Sequence, residues 1–270
     1  MVEDPFLKLR VLDSATLIGE LQAALRPGEA TALAFDADGT LWSGDIGDDV
    51  FRFAVAHGRL REQARARIEE EARKRGFPIL ADVNATARSL FDAYLAGRYV
   101  EREMCELMTW CYAGHSRAEM TALADEALTE ARLAERLHHE LAPVLDFARG
   151  TGLRAIVISA SPRPIVEYAT RLWGFSPADI CASTPLVEGD RIMPHMAGAV
   201  PYAAAKCVAG RALLGNARWL AAFGDNVFDL EMMCEAERGI AVRPKPALQA
   251  RFAEIPQLLL LSPEIRETKG

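Results

Sequence analysis

The 270-residue chain has no cysteine framework, no membrane-length apolar run and no excess of basic residues. Its five cysteines (Cys105, Cys111, Cys181, Cys207 and Cys234) are odd in number, scattered and without a CxxC pair. They read as reduced thiols in a cytoplasmic protein. The tail run Leu258 to Leu261 falls far short of the roughly 18 apolar residues of a membrane span. The N-terminus carries Glu3, Asp4, Lys8 and Arg10 with no apolar stretch, so no signal peptide is expected there. A formal net charge of -7 is the opposite of the basic surface that nucleic acid requires. Neither membrane nor nucleic acid is therefore an expected partner, whereas a small anionic substrate remains compatible because a bound cation can reverse the field inside a cleft. His57, His115, His138, His139 and His195 show no metal-ligand spacing. There are no repeats and no low-complexity segments, and oligomeric state is not written in the sequence.

Short apolar runs alternate with helical patterns. Thr31 to Phe35, Leu153 to Ile158, Ile180 to Ala182, Trp219 to Phe223 and Ile240 to Val242 are continuous rather than alternating in hydrophobicity, which suits strands covered on both faces. Residues 13–25 read as a leading helix ended by Pro27-Gly28. Leu141, Val144, Leu145 and Ala148 follow helical spacing up to Gly150 and Gly152. Ile165, Tyr168, Ala169 and Leu172 do so between Pro162 and Gly174. This order predicts an α/β protein with a doubly wound, mainly parallel Rossmann-like sheet, binding ligands outside the strand carboxyl ends. Residues 43–135 contain no convincing strand. Their charge-rich helix Arg59 to Arg75 and the capping-box pattern Ser116/Glu119 predict an all-helical insertion (43–135) into an α/β core of residues 1–42 and 136–270.

Four segments carry the chemistry. Ala34-Phe35-Asp36-Ala37-Asp38-Gly39-Thr40 sets two carboxylates side by side at a strand end. Such a pair must share a proton or bind a cation. Ile156-Val157-Ile158-Ser159-Ala160-Ser161 puts hydroxyls near a helix start, where free N–H groups favour an anion. Ser159 is the expected phosphate donor, and Ser161 is expected to cap the following helix. Lys206 lies among small and apolar neighbours, and Gly224-Asp225-Asn226-Val227-Phe228-Asp229 repeats the strand–glycine–acid pattern with Asp225 and Asp229 one helical turn apart.

In this order the four segments resemble the DxDGT, strand-end Ser/Thr, lone Lys and GDxxxD motifs of the haloacid dehalogenase superfamily. The helical insertion, the segment Tyr112 to Ser116 and the hairpin-like Val187 to Ile192 resemble its phosphoserine-phosphatase-like branch with a small helical cap. The resemblance implies a Mg²⁺-dependent phosphatase in which Asp36 forms an aspartyl-phosphate. Mg²⁺ would be held by Asp36, Asp225 and the Asp38 main-chain oxygen. Ser159 and Lys206 would bind the phosphoryl oxygens. Asp229, supported by Asn226, would position Lys206 or reach the metal through water. An acid at Asp38 suits an alkoxide leaving group, which needs a proton, whereas the superfamily's dehalogenases lack an acid there.

The resemblance also aligns Asp45 with an acidic residue that contacts a substrate amine, and Trp42 lies close by. This implies a small phosphorylated amine such as phosphoserine, phosphoethanolamine or phosphocholine. Asp45, Asp48 and Asp49 read equally well as caps of the first insertion helix, and Trp110 and Tyr112 as core rather than an aromatic wall. The chain departs from that branch at Ser159-Ala160-Ser161, where the branch has Ser-Gly-Gly, and at Asn226, where it favours Gly. A phosphomutase or phosphotransferase would use the same intermediate, and a module that binds phosphate or a partner without catalysis is the alternative of another class.

Overall fold

A computed structural model describes residues 9–264; Glu3, Asp4 and Lys8, read above for the absence of a leader, lie outside them. In chain order the elements are β1 (Arg10–Leu12), α1 (Ser14–Ala23), β2 (Thr31–Phe35), α2 (Ile46–Ala56), α3 (Glu62–Lys74), α4 (Val83–Leu95), α5 (Glu101–Trp110) and α6 (Arg117–Glu130). Then follow α7 (Ala142–Thr151), β3 (Arg154–Pro162), α8 (Arg163–Ala169), β4 (Ile180–Ser183), β5 (Pro185–Glu188) and β6 (Arg191–Met196). The chain ends with α9 (Ala205–Leu214), β7 (Arg218–Gly224), α10 (Leu230–Glu235), β8 (Gly239–Val242), α11 (Pro246–Gln249) and β9 (Leu259–Leu261).

A seven-stranded sheet has the order β1-β9-β8-β7-β2-β3-β4, and every pairing in it is parallel. The chain passes from β2 outward through β3 to β4, then returns to the other side of β2 at β7. The reversal opens a crevice at the carboxyl ends of β2, β3 and β7, where such sheets bind ligands. The five expected strands are present, with β3 running on to Pro162 rather than stopping at Ile158. Strands β1 and β9 escaped sequence reading because each has only three residues. The antiparallel pair β5–β6 is the expected hairpin.

β2 shows why the runs are continuous. All five of its residues are buried, yet Leu33 and Phe35 pack into one core while Ala32 and Ala34 pack into the other. Period-two alternation places them on opposite faces, and helices cover both. The alanine face lets helices come close. On α9, a Cβ on Gly210 would fall 2.5 Å from the Trp219 ring and 2.6 Å from Ile158. That approach carries Lys206, one helical turn earlier on the same face, to the strand ends.

Residues 46–130 form α2 to α6 with no strand among them, and the Ser116/Glu119 capping box is present. The two ends of this helical stretch lie side by side: Trp42 bridges Leu137, Ser43 N–H donates to Arg136 O at 3.0 Å, and His138 N–H to Leu41 O at 3.0 Å.

Candidate active site

Asp36 follows β2, and its N–H donates to Phe223 O at 2.9 Å, extending the pairing with β7 by one residue. Stacked Phe35 and Phe223, 4.3 Å between centroids, fix the two strand ends beside each other. Asp36 is thereby held next to Asp225, the residue after β7. Gly39 sits between them with φ of 88°, and a Cβ there would lie 2.1 Å from Asp225 Oδ2. Only glycine fits both that conformation and that approach.

Lys206 Nζ donates to Asp36 Oδ1 at 2.6 Å and to Asp229 Oδ1 at 2.5 Å, with all three residues buried. Asp229 Oδ2 accepts from the N–H groups of Asp225 (3.1 Å) and Asn226 (3.0 Å). Thr40 Oγ1 donates to Asp36 Oδ2 at 3.2 Å. Lys245 reaches Asp225 Oδ2 at 2.9 Å from a half-exposed position. Burial alone would pull the Lys206 ammonium down, but Asp229 and Asp36 outweigh it, so its pKa is raised and it stays a cation. Burial, then the charge of Asp229, pushes Asp36 up to about 7 against the pull of Lys206. Burial, then Asp36, pushes Asp225 up to about 7.

Three buried carboxylates, Asp36, Asp225 and Asp229, offer oxygens within 4.8 Å of one another, and two lysines face them. The negative surplus and the oxygen-only donor set suit a hard divalent cation such as Mg²⁺. Asp225 Oδ1 is buried with no hydrogen-bond partner, an orphan that a metal would satisfy. Asp229 gives Oδ1 to Lys206 and Oδ2 to two backbone N–H groups, which fits it to hold Lys206 in place.

Asp38 is half-buried, and both its oxygens accept: Oδ1 from Trp42 Nε1 (2.9 Å) and Ile46 N–H (2.8 Å), Oδ2 from Ser161 Oγ (2.6 Å). Burial and then Asp45 raise it to about 7. Two expectations change here. Ser161 does not cap the following helix, since α8 has no side-chain cap bond; β3 continues through it, and its hydroxyl turns to Asp38. Trp42, expected beside the substrate, has no surface open to the cleft. It is fully buried, and its indole anchors Asp38 from below. Ser159 is 1% exposed, and its Oγ accepts the Ser161 N–H at 3.1 Å, which leaves its own proton for another acceptor.

These groups line a cleft of about 500 Å³ whose opposite wall comes from the helical insertion: Asp45, Asp48, Arg52, Tyr94, Glu101 and Cys105. Asp45 is both things the sequence allowed, the cap of α2 through the Asp48 N–H (2.8 Å) and a group at the cleft. Burial and then Asp48 raise it to about 7, and burial raises Asp48 to about 6 against the pull of Arg52. Trp110 and Tyr112 are core. The aromatic lining is Tyr94, Tyr202 and Phe228. His195 is exposed. Sequence reading missed Thr40, Lys245, Tyr202 and Glu101. Thr40 was inside a quoted motif and Lys245 in Arg243-Pro244-Lys245-Pro246, a segment that also resembles the superfamily, whereas no local pattern marks Tyr202 or Glu101.

A family model described as haloacid dehalogenase-like hydrolase matches residues 33–233, a span that holds every one of these motifs. No curated protein matches the chain. Among solved structures, a protein of unknown function from Bordetella pertussis Tohama I is 21% identical with a TM-score of 0.65, over 87% of this chain and 99% of that one. A phosphoserine phosphatase in the form of a phospho-aspartyl intermediate analogue is 14% identical with a TM-score of 0.51, over 87% and 95%. A probable phosphoserine phosphatase from Vibrio cholerae is 14% identical with a TM-score of 0.54, over 86% and 61%. At these identities the likeness is one of fold.

Proposed function

Because the chain belongs to the haloacid dehalogenase-like hydrolase family, we propose that it is a Mg²⁺-dependent phosphomonoesterase acting on a small phosphorylated metabolite. The observation that carries this reading is the meeting of Asp36, Asp38, Ser159, Lys206 and Asp225 around one cleft at the sheet's reversal point. Asp36 is the nucleophile and takes the phosphoryl group as an aspartyl-phosphate, dividing one slow displacement into two. Lys206 and Ser159 bind phosphoryl oxygens, and Asp229 holds Lys206 in place. Asp38 gives a proton to the departing alkoxide and takes one from the water that follows. Asp36, Asp225 and the Asp38 main-chain oxygen would hold Mg²⁺, which when bound supplies positive charge against the transferring group.

The insertion, residues 43–135, would act as a cap over the core formed by 1–42 and 136–270. The paired connection at Trp42 and Leu137 supports that division. The cap's wall favours a cationic leaving group, since Asp45, Asp48 and Glu101 face the cleft. The arginines that line the cleft, Arg136 from the core and Arg52 from the cap, already turn to acids: Arg136 to Asp49 at 2.6 Å and Arg52 to Asp48 at 3.6 Å. A phosphorylated amine without a carboxylate, such as phosphoethanolamine or phosphocholine, thus fits better than phosphoserine. The test is inorganic phosphate release with Mg²⁺ from phosphoserine, phosphoethanolamine, phosphocholine, glycerol phosphate and p-nitrophenyl phosphate. Release without added acceptor, stopped by a chelator, is expected. Turnover only with an acceptor alcohol would make it a phosphotransferase, and no turnover on any ester would remove the reading.

A further inference from the structure

Resting on the phosphomonoesterase reading, we propose that Ser161 is a positioning residue that assigns the two oxygens of Asp38 different jobs, with Oδ2 carrying the catalytic proton. Asp38 Oδ1 is held by two N–H groups, Trp42 Nε1 and Ile46 N. Neither can accept a hydrogen bond, so a proton on Oδ1 would confront two donors. Trp42 and Ile46 are also fully buried and lie behind the cleft rather than on it. Oδ2 differs on both counts. Its partner is a hydroxyl, which donates or accepts by rotating about one bond, and both Ser161 and Asp38 line the cleft.

Ionised Asp38, after it has given up its proton, takes three donors, Trp42 Nε1 and Ile46 N on Oδ1 and Ser161 Oγ on Oδ2. In the acid form the proton sits on Oδ2 and Ser161 turns its own hydrogen away. As the Asp36–phosphorus bond forms and the ester P–O bond breaks, that proton passes to the leaving oxygen. The Ser161 hydroxyl then swings back to donate to Oδ2, across the same 2.6 Å contact. When water attacks the aspartyl-phosphate, one water proton returns to Oδ2, the phosphorus–Asp36 bond breaks, and the cycle closes.

The cap shares in this arrangement. A Cβ on Gly47 in the first turn of α2 would come within 3.1 Å of Ser161 Oγ, so the missing side chain leaves the hydroxyl its place beneath the cap.

A leaving-group comparison tests the assignment, because an aryl oxide departs without a proton and an alkoxide does not. Ser161→Ala should lower the ratio of kcat/KM on glycerol phosphate to kcat/KM on p-nitrophenyl phosphate, which reports the step in which the alcohol leaves, about ten-fold, a part of the ~10²–10⁴-fold that a general acid supplies. Ser161→Cys, with similar bulk and a weaker donor, should fall between and covers the case in which the alanine variant does not fold. In an Asp38→Asn background Ser161→Ala should leave the ratio where Asp38→Asn put it. Equal losses on both esters, an unchanged ratio, or a full additional loss in the Asp38→Asn background would each overturn the proposal while the parent enzyme's turnover keeps the phosphomonoesterase reading. A parent enzyme inert to both esters would remove that reading and this inference with it.

Discussion

The floor and the wall of the cleft are both acidic, yet they treat their charges differently. On the floor every carboxylate has a fixed partner: Asp36 and Asp229 share Lys206, Asp225 has Lys245, and Asp38 has Trp42, Ile46 and Ser161. On the wall, Asp45 caps its own helix, Asp48 has only the loose Arg52 pair at 3.6 Å, and Glu101 meets no cation within ion-pair distance among the described residues. Floor and wall thus answer different needs. A preorganised floor serves a reaction whose charges are the same for every phosphate ester. A wall with unanswered negative charge serves a leaving group that varies, and supplies what a cation would satisfy.

The largest effect should come from breaking the floor. Asp36→Asn keeps the shape but removes the nucleophile, and Lys206 retains Asp229. Hydrolysis of p-nitrophenyl phosphate should fall by on the order of 10⁴-fold or more, with the melting transition still cooperative. Steady-state assays with Mg²⁺ check this, and loss of less than ten-fold would assign the nucleophile elsewhere. The wall should respond selectively instead. Glu101→Gln and Asp45→Asn should each lower kcat/KM for phosphoethanolamine about ten-fold, the worth of one charge-assisted hydrogen bond. The loss on glycerol phosphate should be several-fold smaller. Equal losses on the two esters would mean that the wall shapes the site without reading charge.

The same contrast explains what the sequence made legible. Asp36, Asp38, Ser159 and Asp225 were identifiable because parallel strands deliver their next residue to a common edge, so a strand-end carboxylate or hydroxyl is marked by the apolar run before it, whereas Lys206, on helix α9, was identifiable only through the resemblance. Gly39 was legible as the glycine of the DxDGT pattern, and the fold supplies the reason, since a side chain there would strike Asp225. Wall residues lack such a marker. Tyr94 and Glu101 sit at the end of α4 and the start of α5, and only helix packing decides which turn faces the core. Ser161 was misread for a related reason: Ser-Pro-Arg-Pro is a helix-start pattern, and nothing local reveals that β3 continues and shifts register between Ser159 and Pro162. Trp42 carried the same ambiguity, since an aromatic after a catalytic loop packs below it as readily as it lines the site.

The smallest expected effect, in stability against pH, separates floor from wall without any substrate. Asp36, Asp38, Asp45 and Asp225 are raised to about 7 and Asp48 to about 6, above the ~3.9 of an unfolded aspartate. The folded protein therefore binds more protons than the unfolded chain between about pH 4 and 7. Stability from these groups is full below about pH 4 and is lost as pH rises through 7, so the metal-free protein should melt lower at pH 8 than at pH 5. Saturating Mg²⁺ should recover the share of Asp36 and Asp225, because the cation favours their ionised forms, but not that of Asp38 or of the wall. With Mg²⁺ present, Asp45→Asn combined with Asp48→Asn should remove the wall's part of the remaining slope. Asparagine at 45 still caps α2, so the change isolates charge from helix structure. For wall groups in contact with solvent the difference should be modest, about 1 kcal/mol or 2–4 °C in Tm for a chain of this size. Melting curves from pH 5 to 8, with and without Mg²⁺, measure it. A slope that Mg²⁺ abolishes entirely in the parent protein would mean that the wall acids are already neutralised, and that no positive charge is needed from the leaving group.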